Sequence, residues 1–277
     1  MDALLRELRQ IVEREQALYG RLLPLPPEEV PESRTRNLEP ETPNPKTQPP
    51  SDDDMPNQDL FGNDVDPAED ASRPPPERIA SLIDEDHPVK HMETLQAVRD
   101  WMDGEILVPL DEERQNVVFG TGDPDADLVI IGEAPGADED EHGEPFVGRA
   151  GQLLDKILDA IHFEREDVYI TNILKSRPPR NRDPLKAEVE AHLPVLYKQL
   201  ALIDPAVILC VGKVAGNTLL DRRSSLKNLR DKFHDFYGLP LMVTYHPAAL
   251  LRNANWKRPT WEDVKLLRTR YDELGGK

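Results

Sequence analysis

The stretch that decides the fold is Val129–Asp155, VIIGEAPGADEDEHGEPFVGRAGQLLD. An apolar run that ends in glycine is followed by an acidic loop, which returns through one aromatic residue, Phe146, to a helical pattern. In an α/β protein, a strand followed by such a loop and a helix builds a pocket at the carboxyl end of the strand. The stretch therefore predicts a parallel sheet with a ligand pocket at one edge.

Short apolar runs alternate with segments of helical spacing after residue 117. The predicted strands are Val117–Phe119, Leu128–Ile131, Val168–Thr171, Val207–Val211 and Leu241–Tyr245. The predicted helices cover residues 149–161, 184–202, 213–221 and 261–274, with Asp183-Pro184 and Thr260 as start signals for the second and fourth. Buried strands that alternate with helices predict an α/β domain whose parallel sheet is covered on both faces.

The chain divides into four predicted regions. Residues 1–23 have the spacing of an amphipathic helix, which either docks on the core or contacts a partner. Residues 24–76 are predicted to be a disordered, acidic, proline-rich linker, because they cannot bury enough apolar surface to offset chain entropy. Residues 77–116 are predicted to be a helical lead-in to the α/β domain of residues 117–277.

Charge is distributed very unevenly along the 277 residues. Residues 1–140 hold 12 Lys and Arg against 35 Asp and Glu, whereas residues 141–277 hold 22 against 18. The net charge of −19 therefore comes from the N-terminal half. An acidic N-terminal half is compatible with a core that binds nucleic acid.

Cysteine usage and hydropathy indicate a cytoplasmic protein. The single cysteine, Cys210, lies in an apolar run and is predicted to be a buried thiol rather than a reactive one. One cysteine allows no disulfide within the chain, which fits a reducing compartment. The N-terminus lacks the continuous apolar core of a signal peptide, and no stretch is long enough to span a bilayer.

Three segments follow predicted strands and are expected to meet at one edge of the sheet. They are GEAPGADEDEHGEPF at 132–146, YITN at 169–172 and YHPAALLRN at 245–253. Loops at the carboxyl ends of parallel strands line one crevice. A carboxylate, an amide, an imidazole and a phenyl ring would converge there, a set that suits recognition of a flat polar heterocycle on which charge develops.

These motifs identify a resemblance to a known family. GEAPGADEDEHGEPFVGRAGQLLD, YITNILKSRPPRNR and TYHPAALLRN resemble, in order and spacing, the motifs of the family 4 uracil-DNA glycosylases, over residues 105–277. The resemblance implies a three-layer α/β/α domain around a central four-stranded parallel sheet. It also implies hydrolysis of the N-glycosidic bond of deoxyuridine in DNA, leaving an abasic site.

Uracil recognition gives each of three residues a predicted role. Phe146 would receive the everted base face-on. Asn172 carries a donor and an acceptor on one planar group, so it pairs with O4 and N3–H of uracil and mismatches cytosine. His246 would hydrogen-bond O2 as negative charge builds on the leaving base. The alternatives are that Phe146 and His246 belong to the core and that Asn172 only closes a strand.

The residue that positions water is predicted from the same loop. Many members of the superfamily carry an Asp two residues after the first glycine, where this chain has Ala134, which is assigned to the substrate pocket. Glu133 is the predicted water-positioning residue, followed by Glu139 and Asp140. The alternative for the outer members of the acidic run is a solvated loop.

A rim of one glycine, six cations and two leucines is predicted to contact DNA. Its predicted members are Gly148, Arg149, Lys175, Arg177, Arg180, Arg182, Leu250, Leu251 and Arg252. By family resemblance, the loop of the two leucines enters the minor groove and fills the gap left by the flipped base. The alternatives are a solvated charged loop for the cations and a helical turn on the core for the leucines.

The resemblance also implies a [4Fe–4S] cluster held by four cysteines, which this chain departs from. The matching positions are Glu105, Val108, Ser176 and His192, and none is a cysteine. We therefore predict no iron–sulfur cluster and no other cofactor or metal. Contacts that include the Val108–Leu110 turn are expected to replace the cluster.

The predicted partners are uracil-containing DNA and a sliding clamp, with a monomeric core and no membrane. The clamp prediction depends on Gln58, Asp59, Leu60 and Phe61, because QDLFG resembles, imperfectly, the peptides that bacterial clamps bind. Two other functions stay open: a DNA-binding superfamily member without catalysis, and an unrelated nucleotide-binding α/β domain. The lack of Gly-x-Gly-x-x-Gly after a strand argues against the second.

Overall fold

The structure, a computed structural model, describes residues 72–275. The predictions for residues 1–23, for the clamp-like motif and for nearly all of the 24–76 linker lie outside these residues. The described strands are β1 (Thr121–Gly122), β2 (Leu128–Gly132), β3 (Tyr169–Asn172), β4 (Val207–Val211), β5 (Phe233–Phe236) and β6 (Leu239–Thr244). The described α-helices are α1 (Pro75–Ala80), α2 (Leu95–Gly104), α3 (Ala137–His142), α4 (Arg149–Asp159), α5 (Lys186–Ile203), α6 (Lys213–Leu219), α7 (Leu226–Leu229), α8 (Pro247–Arg252) and α9 (Lys257–Glu273).

The strands form one sheet in the order β1-β3-β2-β4-β6-β5. The four central strands are parallel to one another, and the two edge strands pair antiparallel with their neighbours. The predicted α/β fold with four parallel strands is confirmed, and two short edge strands extend it. Because β3 lies on one side of β2 and β4 on the other, the strand order reverses between β2 and β4. In open α/β sheets, ligands usually bind at such a point, outside the carboxyl ends of the strands.

Two apolar clusters cover the two faces of the sheet. Val129 and Ile131 of β2 belong to the first cluster, whereas Leu128 and Ile130 belong to the second, as the two-residue period of a strand requires. Helices α1, α2, α5 and α6 contribute to the first cluster, and α4 and α9 to the second. The three layers α/β/α predicted from the family resemblance are thus present.

The N-terminal edge of the sheet differs from the prediction. Val117–Phe119 is not a strand; the first strand is β1, two residues later. The carbonyl of Phe119 is occupied by side chains, accepting hydrogen bonds from Thr171 Oγ1 at 2.8 Å and Gln199 Nε2 at 3.0 Å. The Val118 amide donates to the Lys175 carbonyl at 2.9 Å, and side-chain bonds take the place of the rest of a backbone ladder.

Helix boundaries also differ at three places. Helix α1 begins at Pro75, inside the predicted linker. Helix α5 is capped at Leu185 because Glu188 accepts a hydrogen bond from the Leu185 amide at 2.8 Å, one residue beyond the predicted proline start. Thr260, the predicted start of the last helix, lies inside α9, which begins at Lys257.

Candidate active site

The loops after β2, β3 and β6 bring three predicted site residues together at the carboxyl edge of the sheet. Gly132, the last residue of β2, lies between two of them. A Cβ atom at Gly132 would overlap Asn172 Oδ1 and lie 2.7 Å from Phe146 Cζ. Glycine at this position therefore lets the amide and the phenyl ring approach each other.

Phe146 is held by an unusual backbone conformation. Its φ of 56° lies in the left-handed region, which costs a non-glycine residue about 1 kcal/mol. Gly151 packs so closely on the Phe146 carbonyl that a Cβ atom there would overlap it. The ring is 5% exposed and stacks on His246 with centroids 5.4 Å apart and planes 28° apart. Strained residues of this kind cluster at functional sites, which makes the Phe146 ring a candidate for contact with a ligand.

Asn172, the last residue of β3, is 2% exposed, yet its Oδ1 accepts no hydrogen bond from any residue of the described part of the chain. Burying an unsatisfied polar atom costs about 1–3 kcal/mol. In native structures each such atom calls for an explanation, such as a catalytic role or a water molecule or ion that completes the bond. The orphaned oxygen beside the Phe146 ring therefore marks a place for a hydrogen-bond donor.

His246 caps the N-terminus of α8, and this fixes its tautomer. Its Nδ1 accepts a hydrogen bond from the Ala248 amide at 3.1 Å, so the neutral ring carries its proton on Nε2. Burial lowers the pKa of His246 to about 4, and the Arg252 guanidinium adds to the effect. At neutral pH the residue is therefore an uncharged imidazole with one N–H to donate.

Gly212 is a further residue next to the site, and no sequence motif predicted it. It follows β4 with a φ of 106°, and a Cβ atom there would lie 3.3 Å from the His246 Cβ. The glycine allows the β4 turn to pass close behind the imidazole. Its position after a buried strand was the only signal in the sequence.

Glu139, the second predicted water-positioning residue, has both carboxylate oxygens bonded to its own loop. Its Oε2 accepts a hydrogen bond from the Gly136 amide at 3.0 Å, and its Oε1 accepts one from the Gly148 amide at 3.2 Å. Both carboxylate oxygens thus join the two ends of the acidic loop. Asp140 is likewise structural, because its Oδ1 accepts a hydrogen bond from the Gln115 amide at 3.0 Å.

Glu133 remains the candidate carboxylate near the site. Burial raises its pKa, nearby Asp183 raises it further, and Lys213 lowers it. Its side chain makes no hydrogen bond to the residues between 72 and 275. Ala134 is partly buried and packs against the first apolar cluster, so its assignment to the pocket stays a prediction.

A planar ring, an unsatisfied amide and an imidazole N–H therefore share one edge of the sheet. The profile of the uracil DNA glycosylase superfamily matches residues 119–265. The chain belongs to the uracil-DNA glycosylase superfamily.

Three relatives are named type-4 uracil-DNA glycosylase. The protein of Pyrobaculum aerophilum is 43% identical over 152 residues, which cover 52% of this chain and 78% of the relative. That of Archaeoglobus fulgidus is 40% identical over 176 residues, covering 61% and 86%. That of Thermotoga maritima is 41% identical over 161 residues, covering 57% and 84%.

The predicted DNA contact of Lys175 is wrong, because this side chain is buried inside the protein. The side chain is fully buried, and Nζ donates hydrogen bonds to Thr171 Oγ1 at 2.7 Å, the Asn172 carbonyl at 2.8 Å and Gln199 Oε1 at 2.6 Å. Burial lowers the pKa of Lys175, but all three partners accept, which matches the three N–H groups of an ammonium. Lys175 therefore braces the strand end that carries Asn172.

One further predicted DNA contact is corrected. Leu250 is 2% exposed and belongs to the core, whereas Leu251 is 37% exposed. The Gly148 amide donates to Glu139 Oε1 at 3.2 Å, and close approach of this backbone to a phosphate stays a prediction. Predicted rim residues that do reach the surface are Arg149, Arg177, Arg180, Arg182, Leu251 and Arg252.

No group of three or more His, Cys, Asp or Glu within residues 72–275 could hold a metal ion. Cys210 is fully buried in β4. In the same part of the chain, no helix has the length and hydropathy to cross a bilayer.

Proposed function

We propose that this protein is a uracil-DNA glycosylase that hydrolyses the N-glycosidic bond of deoxyuridine in DNA, releasing uracil and leaving an abasic site. The observation that carries the proposal is the buried, unsatisfied Asn172 Oδ1 beside the stacked rings of Phe146 and His246. The names of the relatives at 38–43% identity support the same reaction.

Base recognition follows from the amide and the ring. The everted uracil stacks on Phe146, a contact worth about 1–3 kcal/mol. Its N3–H donates to Asn172 Oδ1, and its O4 accepts from the amide nitrogen. Cytosine carries an acceptor at N3 and a donor at position 4, so it leaves both amide groups mismatched, at about 1–3 kcal/mol for each unpaired group.

The neutral imidazole of His246 stabilises the leaving group. As the bond between C1′ and N1 breaks, its electron pair moves to uracil, and negative charge develops on O2. The Nε2–H of His246 donates to that oxygen, and the bond strengthens as the charge grows. Because the ring is uncharged beforehand, little of this interaction is spent on binding the ground state.

Water completes the reaction at C1′. The oxygen of water adds to the cationic sugar, one proton is lost, and the uracil anion takes up a proton from solvent. Glu133 orients the water and accepts its proton, and its raised pKa matches a base that works in a partly desolvated place. The dissociative course makes the fixed pocket more important than a strong base.

The exposed rim engages the duplex. Arg149, Arg177 and Arg252 contact phosphates, and Leu251 fills the space of the flipped nucleotide. Flipping costs a few kcal/mol, which the stacking and pairing contacts offset. The core acts as a monomer on chromosomal DNA in the cytoplasm, with neither an iron–sulfur cluster nor another cofactor.

The test uses an oligonucleotide with a single deoxyuridine. The full-length protein is incubated with it, alkali is added, and strand breaks are counted against a thymidine control. Asn172→Ala is expected to lose activity by at least about 100-fold while retaining affinity for abasic DNA. Asn228→Ala, an exposed substitution, is the matched control. Binding without cleavage by the wild-type protein would favour a non-catalytic superfamily member instead.

A further inference from the structure

A buried carboxylate outside the base pocket, that of Asp111, joins separate parts of the chain. Asp111 lies in the 3₁₀ helix Pro109–Glu112, and its side chain is fully buried. Its Oδ1 accepts a hydrogen bond from Ser176 Oγ at 2.5 Å and lies 3.2 Å from His192 Nε2. Its Oδ2 accepts hydrogen bonds from the amides of Leu107 and Val108 at 2.9 and 3.1 Å.

Arg114 completes this group. Its Nη2 donates to the carbonyls of Met102 at 2.9 Å and Glu105 at 2.8 Å. Its Nη1 lies 3.5 Å from both Asp111 Oδ1 and Ser176 Oγ. We call Asp111, Arg114, Ser176 and His192 the Asp111 network.

The Asp111 network contacts all four positions at which the resemblance places cluster cysteines. Ser176 and His192 contact the Asp111 carboxylate, the Val108 amide donates to it, and the Glu105 carbonyl accepts from Arg114. Such a cluster needs thiolate ligands. A carboxylate and a guanidinium fill this place instead, so the residues present do not fit a [4Fe–4S] group.

The Asp111 network pairs a buried carboxylate with a guanidinium. Burial by itself would raise the pKa of Asp111. The interaction with His192 and the hydrogen bonds from Ser176 and the Val108 amide outweigh burial and lower the pKa to about 2. The carboxylate is therefore ionised at neutral pH, next to the Arg114 cation.

The network continues to the base pocket through His192. The Lys175 amide donates to His192 Nδ1 at 2.9 Å, so the neutral ring carries its proton on Nε2, the atom nearest Asp111. The Lys175 ammonium in turn donates to the Asn172 carbonyl. A continuous chain of contacts thus runs from Asp111 through His192 and Lys175 to the residue whose amide reads the base.

We propose that Asp111 is a positioning residue that takes the structural place of the iron–sulfur cluster and sets the orientation of Asn172. The inference rests on the proposed uracil excision. Loss of the carboxylate frees His192, loosens the turn at residues 173–176 and lets the Asn172 amide move. A shift of about 1 Å at such a group lowers a rate about 100-fold.

The first experiment measures iron and acid-labile sulfide in the full-length protein purified anaerobically. Neither is expected in stoichiometric amount, and excision is expected to survive exposure to air and chelator. Four irons per chain would overturn the inference without affecting the proposed function. Absence of excision in every preparation would instead refute the proposed function.

The second experiment compares Asp111→Asn with Ile161→Ala. Ile161 is buried in the second apolar cluster, so its truncation destabilises the fold without touching the Asp111 network. At a temperature where circular dichroism shows both variants folded, Asp111→Asn is expected to lose about 10- to 100-fold in kcat with little change in KM. Ile161→Ala is expected to keep the wild-type kcat. Equal kcat values for the two variants would refute the positioning role.

A double substitution tests whether the effect passes through His192. Asn at position 192 retains an acceptor for the Lys175 amide but lacks the ring nitrogen near Asp111. His192→Asn and Asp111→Asn are therefore expected to give similar losses, and the double variant no further loss. If the double variant instead lost kcat by the product of the two single losses, an effect of Asp111 through His192 would be refuted. If Asp111→Asn fails to fold, Ser176→Ala, which removes one hydrogen bond to Asp111, is expected to lower kcat a few-fold, and an unchanged kcat would refute the inference.

Discussion

The contact of Gly132 with Asn172 and Phe146 gives the sharpest test of the base pocket. In Gly132→Ala, the new methyl group would overlap Asn172 Oδ1 and lie 2.7 Å from Phe146 Cζ, whereas ordinary contact begins at 3.4 Å. The ring and the amide must therefore move by several tenths of an ångström or more. Overpacking of this kind costs about 1–3 kcal/mol of unfolding free energy.

The larger effect of Gly132→Ala is expected on catalysis. Displacement of the amide by close to 1 Å lowers kcat for uracil release by about 100-fold. Affinity for an abasic duplex is expected to stay unchanged, because the exposed DNA rim is untouched. Single-turnover cleavage of a deoxyuridine oligonucleotide measures the first quantity, and fluorescence anisotropy measures the second.

Gly216→Ala is the matched control for this substitution. Its methyl group would lie 2.7 and 2.8 Å from the two γ-carbons of Val243, a similar overlap within the first apolar cluster and outside the pocket. It is expected to lower stability by a comparable amount with kcat retained. Wild-type kcat in Gly132→Ala, or an equal loss in Gly216→Ala, would refute the reasoning.

Three other predictions follow from the site. The pKa of His246 is lowered to about 4, so the imidazole stays neutral as the pH falls from 7 to 5. A pH–rate profile of kcat/KM is therefore expected to show no inflection near pH 6.5 from this group. In Glu139→Gln one loop amide loses its acceptor, so urea titrations are expected to show a free energy of unfolding about 1–3 kcal/mol lower. The folded variant is expected to keep kcat within about tenfold of the wild-type value, and a larger loss of kcat would indicate a catalytic role for Glu139. Arg177→Ala is expected to reduce the slope of log DNA affinity against log salt concentration by about 1, whereas Lys175→Met is expected to leave this slope unchanged because Lys175 is buried. A reduced slope in Lys175→Met would show that Lys175 does contact a phosphate.

The convergence of the base pocket could be predicted because it depends on strand order alone. Phe146 and His246 follow parallel strands, Asn172 ends one, and the carboxyl ends of parallel strands share an edge. Sequence spacing could not predict which neighbouring side chains would be hydrogen-bonded within the protein and so kept from the substrate. Glu139 serves its own loop, and Lys175 turns inward because three acceptors surround it.

The missed hairpin of β5 and β6 has a similar origin. Its two-residue turn is Tyr237-Gly238, with φ values of 50° and 94°. Such turns usually carry Asn or Asp at the first position, and tyrosine there gives no turn signal. The Asp111 network was also beyond prediction, because it joins residues up to 81 positions apart through contacts that only the folded chain creates.

The burial of Cys210 makes this protein convenient for single-site labelling. It is the only cysteine in the chain, it is fully buried in β4, and burial raises the pKa of its thiol far above the usual range. A cysteine introduced in place of exposed Leu251 would therefore be the sole thiol that a maleimide dye can reach. The emission of such a dye would report, in real time, when the segment that carries position 251 contacts deoxyuridine-containing DNA.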